Sequence, residues 1–155
     1  MRPSGDFMTQ NPELAQRVAA KAVIESEGGI LALHPSEIDA NRNWHIPGGI
    51  RDKIKEPIYQ TAIREVLEET GIDLADVPGE LLRLGEWTAV DKGEKVGILA
   101  VFFHFRLPLR PEIVLSDEHI DFAWLDRENH EDYQANREVH EIVEQLLPVC
   151  GLVEL

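Results

Sequence analysis

The segment from Glu56 to Gly71 constrains the chain more than any other. Ile58, Ala62 and Val66, with either Ile63 or Leu67, recur at three-to-four-residue spacing, which predicts an amphipathic helix over Glu56–Thr70. Gly71 stands where such a helix should end, because glycine takes the left-handed conformation of a C-terminal cap without a Cβ penalty. The remaining face is acidic: residues three and four apart lie together, so Glu65, Glu68 and Glu69 point the same way. Three like charges on one face destabilise a helix, and near its C-terminus the dipole disfavours them further. Such a run is either a solvated surface or a cluster that a cation holds together. A hard divalent ion such as Mg2+ offsets the repulsion, because it takes carboxylate oxygens and keeps places for water and phosphate oxygens.

The rest of the chain reads mainly as strands. Asn11-Pro12 fits a helix start, predicting a short helical turn over 12–17, after a polar leader over 1–10 that lacks periodicity. Arg17 to Glu25 and Ile30 to His34 are rich in alanine and β-branched residues, and Gly28-Gly29 between them predicts a hairpin. Pro35 to Arg42 is polar and loop-like. Trp44 to Pro47 is a short extended piece running into Gly48-Gly49, where a ligand can approach the backbone closely. Leu81–Val90 and Val96–Leu107 read as strands flanking Asp91-Lys92-Gly93, the second apolar enough for burial on both faces. Short strands are expected at Ile113–Leu115 and Ile120–Leu125, then an acidic loop over Asp126–Asn136. A last helix over Arg137–Leu147 carries Val139, Ile142, Val143, Leu146 and Leu147 on one side. This order predicts one mixed α/β domain over 11–155, with two helices packed on a sheet rather than regular βαβ alternation.

Charge narrows the chemistry. Acidic residues outnumber basic ones by 29 to 15, a formal charge of -14, which disfavours nucleic acid and anionic membranes as partners. An acidic chain that handles phosphates must bring its own cation, although surface solubility is the simpler account of the charge taken alone. The single cysteine, Cys150, excludes an internal disulfide and favours a reducing, cytoplasmic setting.

Glu56 and Arg64-Glu65-Val66-Leu67-Glu68-Glu69-Thr70-Gly71-Ile72 together resemble the signature of the Nudix hydrolases. The family pattern is glycine, five residues, Glu, seven residues, Arg-Glu, aliphatic, any, Glu-Glu, any, Gly, aliphatic. Every defined position from Glu56 through Ile72 matches, with seven residues between Glu56 and Arg64. One departure precedes it: six residues, Ile50 to Lys55, separate Gly49 from Glu56, read as a one-residue insertion in the loop. The resemblance implies an α/β/α sandwich with a catalytic helix and a C-terminal helix, hydrolysing a nucleoside diphosphate linked to another group. It implies Mg2+, with Mn2+ able to substitute, held by Glu65, Glu68, Glu69 and the carbonyl of Gly48. Glu65 would help to activate water, Arg64 would orient the cluster, and Glu56 would be an outer partner or a ligand of a second metal.

Outside the box, Glu118 in the corner Ser116-Asp117-Glu118-His119 is the candidate for an added glutamate, as ligand or base, or else an exposed acidic corner. His119 either binds phosphate or caps its strand. Trp44, His45 and Trp87 either line a pocket for a base or pack the core. The expected partner is a nucleotide or nucleotide sugar, with a homodimer open. A nucleotide-binding domain without activity is the alternative, and the intact glutamates speak against it. An isoprenoid diphosphate isomerase ranks third. The proline or tyrosine that marks the ADP-ribose and diadenosine-polyphosphate types shortly after the box is absent around Gly85–Thr88.

Overall fold

The computed structural model describes residues 14–36, 43–53 and 55–149. Its framework is a mixed sheet built from strands β1 (Ala15–Ser26), β2 (Gly29–Pro35), β3 (Gly48–Ile50), β4 (Gly79–Asp91), β5 (Glu94–Leu107) and β6 (His119–Leu125). Among the described residues two helices flank it, α1 (Ile58–Thr70) and α2 (Arg137–Leu146). The strand order is β4-β5-β1-β2-β6, with β3 paired to β1.

β1 organises the sheet. It runs parallel to β5 along its whole length, from Ala15 opposite Val96 to Ser26 opposite Leu107. Its hairpin with β2 turns at Glu27-Gly28, both left-handed (φ 49° and 78°), the geometry that suits the twist of two-residue hairpins. The hairpin pairs only at Glu25–Ile30 and Ser26–Gly29, after which β1 and β2 part. The segment from Trp44 to Ile50 fills the gap: Leu33 and His45 exchange backbone hydrogen bonds, the Ala22 amide donates to the Pro47 carbonyl, and β3 pairs with Ala19–Lys21. The glycine turn is thereby set into the middle of the sheet.

Alternation along β1 divides the core into two layers. Ala20, Ala22 and Ile24 face α1, where Ala62, Ile63 and Val66 pack with Leu31, Leu33, Phe103 and Phe105. Ala19 and Val23 face α2, where Val139, Ile142 and Val143 pack with Ile30, Ala32 and Phe102. β5 contributes to both layers, as its apolar run predicts, and the result is the expected α/β/α sandwich. Each fully buried aliphatic side chain on the helices stabilises this docking by about 1.5–3 kcal/mol.

Three local expectations are corrected. The helical turn over 12–17 is replaced by strand, because Ala15–Arg17 pair with Val96–Ile98; 12–13, with Asn11, the leader over 1–10 and Cys150, lie outside the described residues. Ile113–Leu115 is not a strand: the Val114 and Ser116 amides are spent on the carbonyls of Thr70 and Glu69, closing the end of α1. The helix begins at Ile58 rather than Glu56, since Pro57 is extended (ψ 142°) and its carbonyl accepts the first turn's amide from Thr61. The end at Gly71 is as expected, left-handed (φ 77°) with its amide on the Leu67 carbonyl.

Candidate active site

The box residues separate into two groups on α1. Glu65 and Glu69 turn toward β3 and, with Gly48, Gly49, Glu118 and His119, line a cavity of about 560 Å3. Glu68 turns to the rim: its side chain is 56% exposed and its carboxylate meets Arg64 Nη1 at 3.2 Å. Helical spacing thus places the three glutamates on one broad face, while only two of their carboxylates enter the cavity.

Gly48 and Gly49 make this arrangement possible. Gly48 lies at φ 144°, a conformation open to glycine, and a Cβ there would run into the Ala20 carbonyl. Its amide donates to Glu69 Oε1 at 2.9 Å. A Cβ on Gly49 would stand 2.6 Å from Glu65 Cδ, so the Glu65 carboxylate rests directly on the glycine backbone.

Arg64 organises the outer side. Its guanidinium donates to both oxygens of Glu56 (2.9 and 3.1 Å) and reaches Glu65 at 3.4 Å and Asp52 at 3.5 Å. Glu56 also accepts from Thr61 Oγ1 at 2.8 Å. The Arg64 bonds hold the Glu56 carboxyl below its ordinary range, and Arg64 is in turn held cationic. The extra residue before Glu56 therefore does not prevent it from reaching Arg64.

The inner carboxylates behave oppositely. Burial raises the pKa of Glu65, with Glu68 and Glu118 adding to the effect and Arg64 opposing it. Glu69 is only 5% exposed, and burial pushes its pKa up to about 8, against the lowering influence of Lys21 and the Gly48 amide. Ligand atoms of Glu69, Glu118 and His119 lie within 4.8 Å of one another. Buried Glu69 and half-buried Glu65 from the helix, joined by exposed Glu118 from a distant loop, make a donor set that fits a hard divalent cation.

The remaining expectations fall in different places. His45 lines the cavity, and its Nε2 meets His119 Nε2 at 3.0 Å. Trp87 lines this cavity and also a larger one, about 690 Å3, bordered by Arg83, Glu86, Phe102, Asn136 and Glu141, which holds none of the box carboxylates. Trp44 packs edge-on between His34 and Tyr133, both ring centroids at 5.0 Å, against the α2 layer of the core. Lys21, a basic residue on the cavity wall whose Nζ donates to the Ile46 carbonyl, was not anticipated from the sequence. Its only signal was a charge within an alanine-rich strand.

A sandwich with a carboxylate-bearing helix over a glycine turn defines a class, and comparison with known proteins gives it a name. The NUDIX domain model matches residues 15–146, and the chain belongs to the Nudix hydrolase family. No curated protein sequence matches it. Among solved structures, the E. coli dihydroneopterin triphosphate pyrophosphohydrolase is similar over 87% of this chain and 98% of its own, at 23% identity and TM-score 0.69. The MutT NUDIX hydrolase from Burkholderia pseudomallei matches over 84% and 98%, at 24% identity and TM-score 0.65. The NUDIX domain of Shewanella oneidensis NrtR, solved with ADP ribose, matches over 94% and 96%, at 17% identity and TM-score 0.66. At these identities the three show a shared fold.

Proposed function

We propose that the protein hydrolyses the diphosphate linkage of a nucleotide or nucleotide derivative by attack of water at phosphorus, in the cavity between α1 and β3. The observation that carries this reading is the convergence of Glu65, Glu69 and Glu118 on one cavity beside the Gly48-Gly49 backbone. Mg2+ held there by Glu65, Glu69, Glu118 and the Gly48 carbonyl would neutralise the diphosphate and make a water more acidic.

The chain's own groups do the rest. The Gly48 amide fixes the Glu69 carboxylate on the cavity wall in one orientation. Glu65, whose pKa is raised, is suited to take the proton from the attacking water, and the Arg64 guanidinium steadies it. Glu56 keeps Arg64 in place, and Glu68 on the rim serves as its exposed counter-charge. Lys21, on the same wall, offsets phosphate charge in an otherwise acidic cavity. The group beyond the diphosphate extends past Trp87 into the adjoining larger cavity, whose Asn136 amide and Glu86 and Arg83 charges offer polar contacts. Trp44, committed to packing, takes no part in this reading.

Glu118→Gln tests the assembly, because Glu118 comes from outside the box and is exposed. Steady-state hydrolysis should fall by ~10²-fold with folding unchanged, the range typical for loss of a positioned acid–base or charged group. Unaltered activity would remove Glu118 from the site.

A further inference from the structure

A second group of metal-ligating side chains lies where the 3-10 turn His130–Asp132 meets α2. The His130 ring is buried, 3% exposed. Its Nδ1 stands 2.8 Å from His140 Nδ1, so one of these nitrogens donates and the other accepts. Its Nε2 points away from that pair and lies 3.6 Å from Glu144 Oε2, beyond hydrogen-bond length. Ligand atoms of His130, Glu131 and Glu144 all fall within 4.8 Å of one another. His140 and Glu144 are one helical turn apart, and the neighbouring Val139, Ile142 and Val143 anchor that turn in the core.

We propose that His130, Glu131 and Glu144 form a second cation site, for a divalent transition metal of the zinc type. It is separate from the carboxylate cavity and ties the acidic turn to α2. One imidazole nitrogen with two carboxylates suits zinc, whereas magnesium prefers oxygen alone. Two donors on a tetrahedral zinc stand about 3.4 Å apart, so the His130–Glu144 separation needs to close by only a few tenths of an ångström. A metal-bound imidazole usually gives its other N–H to an acceptor. Proton placement on His130 Nδ1, donated to His140, leaves the Nε2 lone pair facing the carboxylates. Glu144 also lies in the last turn of α2, where the helix dipole favours a cation. The opposite end of α2 borders the larger cavity through Asn136 and Arg137, so the ion would brace one of that cavity's walls.

The test is calorimetric titration of Zn2+ into the full-length protein, with millimolar Mg2+ present to compete for the carboxylate cavity. Because Glu69, Glu118 and His119 offer a like donor set, the titration is also run on the Glu69→Gln/His119→Gln protein, where one zinc site is expected to remain. Glu144→Gln, at an exposed position, should weaken it at least tenfold. His140→Ala removes no ligand and should weaken it by about 10- to 100-fold. Glu69→Gln and His119→Gln should leave it unchanged. Zinc binding absent from the parent, undiminished in Glu144→Gln and His140→Ala, or lost in Glu69→Gln would overturn the assignment. Circular dichroism of each variant separates lost ligation from lost folding.

Discussion

The backbone amide of Gly48 donates a 2.9 Å hydrogen bond to Glu69 Oε1, joining the glycine turn to the last stretch of the carboxylate helix. Gly48 is itself paired with Lys21 of the central strand, so the core of the sheet sets where this carboxylate stands. The bond orients the group without neutralising it, and burial keeps its pKa near 8.

A pH dependence follows. The folded-state pKa of Glu69, about 8, lies above its ordinary value of 4.5, so folding favours the protonated form. The contribution of this group to stability is fully present below about pH 4.5 and is lost as pH rises toward about 8. On the proposed reading Mg2+ would bind the ionised form and reverse the loss. The increase in melting temperature on adding Mg2+ should therefore be larger at about pH 8.5 than at about pH 6, measured by differential scanning fluorimetry. In Glu69→Gln, that difference between the two pH values should shrink.

On the proposed reading Arg64 acts through the carboxylates it holds. Arg64→Lys keeps the charge but loses the fork that grips both oxygens of Glu56. Glu65 should then lose its fixed position, and kcat should fall by about ten- to a hundredfold with a smaller change in KM. Steady-state kinetics at saturating Mg2+ makes the measurement. A change in KM alone would place Arg64 on the substrate instead.

Gly49→Ala tests the contact between the turn and the helix. The added methyl would meet the Glu65 carboxylate rather than backbone, so Glu65 should swing aside and the sheet should survive. Activity should drop by ~10²-fold while the melting temperature stays close to the parent's. Gly48→Ala differs, because its Cβ would strike the Ala20 carbonyl at a positive φ; it should lower stability as well.

The carboxylate helix was legible because its spacing, its glycine cap and its acidic face all lie within a short stretch of chain. The two core layers were legible for the same reason, since alternation along β5 and the apolar stripe of α2 are local patterns. What escaped the sequence depends on partners far along the chain. Ala15–Arg17 follow a plausible helix start at Asn11-Pro12, yet pairing with β5 draws them into the sheet. Ile113–Leu115 has strand composition, but its neighbouring amides are taken by the end of α1. Helical periodicity groups Glu65, Glu68 and Glu69, but not which of them Arg64 draws to the rim. The His130–His140 contact joins a turn to a helix ten residues on, and no local pattern announces it.

The most direct test of the central claim is phosphate and pyrophosphate release from a panel of nucleotides and nucleotide sugars, with and without Mg2+, by the parent and by Glu69→Gln. The Gln side chain can still accept the Gly48 amide, so the fold should hold while the cavity loses a charge. The expected result is Mg2+-dependent release from at least one compound by the parent, reduced ~10²-fold or more in the variant. Release that persists in Glu69→Gln, or that needs no divalent ion, would contradict the account.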